Sequence, residues 1–360
     1  MVLSQHTATE NIVKEKPRLS LQYRKIGQDT HTLRSLDWDR SRFDIEFGLR
    51  NGTTYNSFLI RSEKTALLDT SHLKFKEIWF EKLKQEINPI EIDFLIVHHT
   101  EPDHSGLIRY LIELNPNIEI VGSKVAIKFL EDQVHVPFKS RAVKSGDELD
   151  LGINSISGID HKLEFISAPN LHWPDTIFSF DHGTQILYTC DAFGLHYCSD
   201  KLFDEDPSLL SEDFRFYYDC LMGPNARSVI QAIKKIDQLP YVETVAIGHG
   251  PILKFNTESW LNNYREWSQR RNKGENYAVV CYLSQYGFCD RLSQSIAHGI
   301  GKANAQVQLV DLIASDKQEL SALINEASAV VVPTWPSNSD SELQSNIGTL
   351  LASLKPKQWV

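Results

Sequence analysis

Nine consecutive residues, His98-His99-Thr100-Glu101-Pro102-Asp103-His104-Ser105-Gly106, carry three imidazoles and two carboxylates. That density restricts the fold more than any other stretch. The segment follows an apolar run over 92–98 and precedes a helical pattern over 105–114, so it reads as a strand-to-helix loop, where side chains on a rigid scaffold can converge on one point. Helix capping accounts for Asp103 or Ser105. It leaves three histidines and a second carboxylate unexplained, and metal ligation is the chemistry that uses both. Further candidates stand at the ends of later apolar runs: His172 in Leu171-His172-Trp173-Pro174-Asp175, Asp191 in Cys190-Asp191-Ala192-Phe193-Gly194, and His249 in Gly248-His249-Gly250-Pro251. Alone, each reads as a turn or cap residue. Taken with His99, Glu101 and Asp103, they supply three neutral imidazoles, two terminal carboxylates and one carboxylate able to bridge, which is what a binuclear centre needs. His98 lies one residue off register and faces the other side of its strand, where packing is its expected role. His161, His182 and His196 fall in the same part of the chain and read as ordinary polar residues, with His196 nearest the candidates.

The rest of the chain alternates. Runs rich in β-branched residues at 57–61, 66–69, 92–98, 118–121, 163–167, 186–190 and 243–247 predict strands. Helical spacing over 73–87, 105–114, 123–133 and 225–239 predicts helices between them, and 257–272 reads as a more polar helix. Residues 272–276 (Asn-Lys-Gly-Glu-Asn) form a linker pattern. After it come strand 277–283, helix 290–302, strand 306–312, helix 317–327, strand 329–332 and helix 341–354, the order that begins a doubly wound parallel sheet. A length of 360 residues suits two domains. The expected divisions are a mobile lead at 1–20, a first domain at 21–272 and a second at 277–360.

Composition excludes several classes. A net charge of −10 lacks the basic surface that nucleic acid requires, and no apolar run approaches the ~20 residues of a membrane span. Five dispersed cysteines without a Cys-x-x-Cys pair give no disulfide framework and no thiolate zinc knuckle. The expectation is a soluble, cytoplasmic protein.

The order His99-x-Glu101-x-Asp103-His104, then His172, Asp191 and His249, resembles the metallo-β-lactamase superfamily, whose loop reads His-x-His-x-Asp-His. Glu101 replaces the second histidine here. With the His-Trp-Pro-Asp and Asp-Ala-Phe-Gly segments and the flavodoxin-like pattern at 277–360, this resembles the flavodiiron proteins. The resemblance implies a metallo-β-lactamase-like αββα sandwich of the α/β and α+β classes, followed by a partial flavodoxin-like doubly wound sheet. It implies two non-haem Fe ions, with His99, Glu101 and His172 on one, Asp103 and His249 on the other and Asp191 bridging; spacing alone does not decide the division of Glu101, Asp103 and His249. His104 is expected beside the ligands as a hydrogen-bond donor. A carboxylate in place of an imidazole hardens the donor set, which favours iron over zinc. FMN is implied in the second domain. The loop after strand 277–283 matches the family's phosphate loop at Ser284, Tyr286 and Gly287, whereas Cys289 stands where Thr or Ser is usual. Pro333, Thr334, Trp335 and Asn338 form the second flavin loop, with Trp335 placed to stack on the ring. A third loop is expected beyond Val360, so the 360-residue form is expected to bind FMN weakly or not at all. The implied activity is reduction of O2 to water or of NO to N2O, with NAD(P)H, ferredoxin or rubredoxin as electron donor. The implied assembly is a head-to-tail homodimer or a hetero-oligomer. A binuclear zinc hydrolase of the same fold and a non-catalytic partner subunit are the alternatives.

Overall fold

The computed structural model describes residues 18–43, 47–271, 277–283, 288–303, 305–312 and 317–332, together with residues 348, 352 and 354. The linker 272–276, Ser284, Tyr286, Gly287, Pro333, Thr334, Trp335, Asn338 and most of the expected helix 341–354 lie outside the described residues. So does most of the expected lead, but residues 19 and 20 already belong to the first strand.

The first sheet collects β1 (Leu19–Gly27), β2 (Thr30–Asp37), β5 (Thr53–Arg61), β6 (Thr65–Leu68), β7 (Phe94–Val97), β8 (Glu119–Gly122) and β9 (Lys139–Ala142) in that spatial order. A two-residue pair, β3 (Arg42–Phe43) and β4 (Phe47–Gly48), stands apart. Pairing is antiparallel as far as β6 and parallel from β6 to β9. The parallel crossovers carry α1 (Lys76–Glu86), the short α2 (Pro102–Ser105), α3 (Ile108–Leu114) and α4 (Lys124–Val134). Ser123 caps α4 by accepting from the Ala126 amide at 3.0 Å. The second sheet runs β10 (Glu148–Ile153), β11 (Asp160–Ser167), β12 (Ile177–Asp181), β13 (Ile186–Cys190) and β14 (Thr244–Ile247). Its outer helices are α5 (Pro207–Tyr217), α6 (Ala226–Ile236) and α7 (Thr257–Arg271).

Strand alternation sorts the apolar side chains into three layers. Phe58, Ile60, Phe94 and Ile96 of the first sheet meet Leu163, Phe165, Ile186 and Tyr188 of the second. Their chain neighbours Leu59, Leu95 and Val97 point the other way, onto Trp79, Leu83, Leu111 and Leu130 of the helices. Phe178, Phe180, Val245 and Ile247 likewise face Phe214, Ile233, Trp260 and Tyr264. This is an αββα sandwich. Beyond it, β15 (Tyr277–Tyr282) is flanked in parallel by β16 (Gln306–Asp311) and β17 (Ala329–Val331). Val279 and Cys281 pack with Leu320 and Ile324 of α9 (Lys317–Glu326). Val280 and Tyr282 pack on the opposite face with Ala297 of α8 (Phe288–Lys302), so one helix covers each face of this sheet, as in a doubly wound fold. The two lobes touch where Gln308 donates to Ser228 at 2.7 Å and the Arg227 guanidinium lies 3.7 Å from the Tyr277 ring centroid.

Candidate metal centre

The strand ends bring the sequence candidates together. His99, Glu101 and Asp103 follow β7, Asp191 follows β13 and His249 follows β14; His172 comes from the loop between β11 and β12. Non-glycine residues take left-handed backbone beside them, with φ of 66° at Asn170, 49° at Cys190 and 65° at Phe193. Such conformations cost energy and persist where the surroundings hold them. Gly248 is needed for a different reason: a Cβ there would meet His104 Cε1 at 2.8 Å and the Cys190 carbonyl carbon at 3.0 Å.

Two donor sets result. The ligand atoms of His99, Glu101, His172 and Asp191 lie within 4.8 Å of one another, and so do those of Asp103, His104 and His249. Asp191 joins them. Its Oδ2 is 3.4 Å from His99 Nε2 and 3.2 Å from His172 Nε2, while its Oδ1 is 2.9 Å from His104 Nε2 and 3.2 Å from His249 Nε2. Glu101 stands with His99 and His172, at 3.2 and 3.0 Å, and Asp103 with His249, at 3.4 Å. The distances thus group Glu101 with His99 and His172, and Asp103 with His249. They also put His104 Nε2 among the ligand atoms, where the sequence expectation had only a neighbouring donor. Asp103 Oδ1 is buried without a hydrogen-bond partner, which a cation between Asp103, His104 and His249 would satisfy.

The electrostatics have the same character. Burial opposes charge on His172 and His104, yet Glu101 and Asp191 push His172 up to about 10, and Asp103 and Asp191 push His104 up to about 9. Burial also works against the Asp191 and Glu101 carboxylates; His104 outweighs it at Asp191 and His172 at Glu101, holding both well below the usual range. Three carboxylates, Glu101, Asp103 and Asp191, packed against imidazoles form a site that calls for positive charge.

Residues behind the candidate ligands fix their orientation. Asp175 Oδ1 faces His99 Nδ1 at 3.1 Å, and its Oδ2 accepts from the Thr100 amide and hydroxyl at 2.7 and 2.6 Å. His249 Nδ1 donates to the Thr54 carbonyl at 2.6 Å, which leaves Nε2 free for a metal. Neither partner carries a local sequence signal; the Trp-Pro-Asp segment contains Asp175 without showing which histidine it serves. His98 points away from both donor sets, between Asp69 Oδ2 at 2.8 Å and Ser179 Oγ at 2.7 Å. His161 is buried between Asp181 and Asp29, and His182 pairs with Glu164. His196 does belong here: it lines a cavity of about 410 Å³ over the donor sets. The cavity takes one wall from Phe43, Glu101, Asp103, Trp173 and Tyr217 and another from Arg291, Gln294, Ser295 and His298 of α8. Cys289, in the first turn of α8, is half-buried.

The family model described as ODP family beta lactamase matches residues 53–250. Putative diflavin flavoprotein A 3 of Nostoc sp. strain PCC 7120 is 55% identical over 348 residues, 96% of this chain and 60% of that protein. Diflavin flavoprotein A 1 of Synechocystis sp. strain PCC 6803 is 52% identical over 341 residues, 95% of this chain and 58% of that protein. The chain spans about three fifths of the length of these curated relatives. Among solved structures, the metal-soaked Flv1 flavodiiron core from Synechocystis sp. PCC6803 has a TM-score of 0.81 at 32% identity, covering 95% of this chain and 84% of that one. Rubredoxin oxygen:oxidoreductase from the anaerobe Desulfovibrio gigas has a TM-score of 0.64 at 25% identity, covering 94% and 84%.

Proposed function

The chain belongs to the flavodiiron proteins, and on that premise we propose that it is an oxidoreductase that delivers electrons to dioxygen at a pair of non-haem irons. The observation that carries this reading is the splitting of Asp191 between two donor sets, one carboxylate oxygen turned to each. On it, His99, Glu101 and His172 would hold one iron and Asp103, His249 and His104 the other, with Asp191 shared between the two sets. The donors fit the metal: carboxylate oxygens outnumber those of an imidazole-rich zinc site, and hard anionic oxygen suits an ion that cycles between ferrous and ferric. When bound, the irons would supply electrons and Lewis acidity to a diatomic molecule.

The chain's own residues do the rest. Asp175 and the Thr54 carbonyl fix which imidazole nitrogen faces the metal, at His99 and His249 respectively. Trp173, edge-on to His99 at 5.0 Å, and Phe43 restrict water at the cavity wall. FMN belongs to the same proposal, in the lobe formed by β15, α8, β16, α9 and β17. Ser284, Tyr286, Gly287 and Cys289 would hold its phosphate, and Pro333, Thr334, Trp335 and Asn338 its ring. NAD(P)H, ferredoxin or rubredoxin as donor, and a head-to-tail homodimer or hetero-oligomer, complete it. The relative from Desulfovibrio gigas is named a rubredoxin oxygen:oxidoreductase, which supports dioxygen as the acceptor. No helix among the described residues is long and apolar enough to cross a membrane.

Metal analysis and gas uptake on one preparation test the reading. Two irons per chain with dioxygen consumption under a supplied reductant support it. Two zincs per chain without gas uptake return the chain to the hydrolases of the same fold, and uptake of NO in preference to dioxygen replaces the substrate.

A further inference from the structure

His196 sits in the wall of the cavity with its ring 4.7 Å from the His249 ring and 4.9 Å from that of Tyr217. Its two nitrogens have different surroundings. Nδ1 is 2.8 Å from the Thr53 hydroxyl, whereas Nε2 is buried with no hydrogen-bond partner. Native interiors seldom leave such an atom unmatched unless something outside the protein's own atoms is meant to meet it.

The proton can be placed from the neighbours. His249 Nδ1 lies 2.6 Å from the Thr54 carbonyl, an atom that only accepts, so His249 carries its proton there. That carbonyl has a second lone pair, but the Thr53 hydroxyl reaches it only at a longer distance than it reaches His196. The Thr53 hydroxyl is 3.3 Å from the same carbonyl, 3.5 Å from His249 Nδ1 and 2.8 Å from His196 Nδ1. Its shortest available acceptor is therefore His196 Nδ1, and an imidazole that accepts at Nδ1 keeps its own proton on Nε2. The unmatched atom is a donor. Tyr217 Oη, also buried and without a partner, does not receive it.

We propose that His196, its tautomer fixed by Thr53, donates a hydrogen bond from Nε2 to the acceptor atom of the small molecule that occupies the cavity. The ligand class is a diatomic or small anion with an exposed lone pair. This rests on the diiron reading for the ligand's second anchor, while the placement of the proton stands without it. His196 is thus a substrate-contacting residue and Thr53 a positioning one.

Two measurements on the full 360-residue chain test it. In metal-free protein, histidine ¹⁵N chemical shifts should show His196 protonated at Nε2, with the preference lost in Thr53→Val; a proton on Nδ1 in the wild type overturns the proposal. In iron-loaded protein, azide serves as the probe, followed by its charge-transfer absorption and its asymmetric stretch. His196→Phe should bind azide about three- to tenfold more weakly and shift the stretch. His196→Gln, which can keep an N–H near the Nε2 position, should restore most of both at equal iron content. The same azide affinity and stretch in His196→Phe as in wild type also overturns it. Failure of the diiron reading is seen separately, in iron content before azide is added, and leaves the tautomer measurement to decide the Thr53–His196 pair.

Discussion

Replacing Asp175 with asparagine exchanges one oxygen for an amide nitrogen and removes one charge, and the contacts around the site determine the outcome. Asp175 Oδ2 accepts from both the amide and the hydroxyl of Thr100. The asparagine oxygen must stay there, because the alternative faces an NH2 group with two donors. Its nitrogen is then turned toward His99 Nδ1, donor against donor. The ring can relieve this by moving its proton to Nε2, the atom 3.2 Å from Glu101 and 3.4 Å from Asp191. That atom has to be unprotonated to bind a metal. Losing an outer partner of this kind costs 10–100-fold in affinity, or about 1.4–2.7 kcal/mol. The folded chain itself loses one charge-assisted hydrogen bond, about 1.5–3 kcal/mol, and a Tm lower by roughly 3–10 °C. Cobalt(II) is a suitable probe, because its visible bands report occupancy; competition against a chelator gives the affinity of wild type and variant. Affinity within twofold of wild type in a folded Asp175→Asn variant would refute the argument, since it would mean that His99 is not held by Asp175 for metal binding.

Three further outcomes follow from other residues. Glu101→His restores an imidazole-rich set and should move metal content from iron toward zinc in cells replete with both; unchanged iron occupancy and dioxygen uptake would remove Glu101 from the ligands. Gly248→Ala places a methyl 2.8 Å from His104 Cε1, so it should destabilise by about 1–3 kcal/mol and reduce bound metal from two ions to one, read by denaturation and metal stoichiometry. His161 is opposed by burial but favoured more strongly by Asp181 and Asp29, and its pKa is raised. Its stabilisation is therefore complete below the ordinary histidine pKa and is lost as pH rises through the raised value. The Tm gap between wild type and His161→Asn should be largest near pH 6 and narrow toward pH 9, and a gap that widens with pH would show that His161 is not the cation.

What the sequence reveals depends on whether the deciding contact is local. Strands β6, β7, β8, β13 and β14 and the second half of β5 are legible because both of their faces are buried by largely apolar runs. β2 is not, since it buries Thr30, Thr32, Arg34, Ser35 and Asp37. The Arg34 guanidinium is matched by Gln22 and by the carbonyls of Ser199 and Lys201, more than 160 residues away in two of the three cases. The helix expected over 105–114 is divided because Pro102 starts a turn early and a Cβ at Gly106 would stand 2.5 Å from the Pro102 carbonyl. Helix α5 escapes a reading based on apolar period, although Asp206 caps it and Pro207 occupies its first turn. At the site, histidines and carboxylates stand out by type, so the candidates can be collected from sequence. Their orientation cannot, because Asp175 meets His99 from 76 residues away and Thr53 meets His196 from 143.

The cavity's second wall is a helix of the other lobe, and this ties two equilibria together. Glu101, Asp103 and His196 stand on one side and Arg291, Gln294, Ser295 and His298 on the other. An occupant that touches both sides makes its full set of contacts only when α8 is in place. It therefore acts as a fastener between the lobes, beside the Gln308–Ser228 hydrogen bond and the Arg227–Tyr277 contact. Linkage is reciprocal: whatever secures α8 against the sandwich tightens the occupant's binding by the same factor as the occupant secures α8. Order gained around β15 and α8 is in this way felt at the histidines and carboxylates of a different lobe, with no residue of the metal cluster having to move.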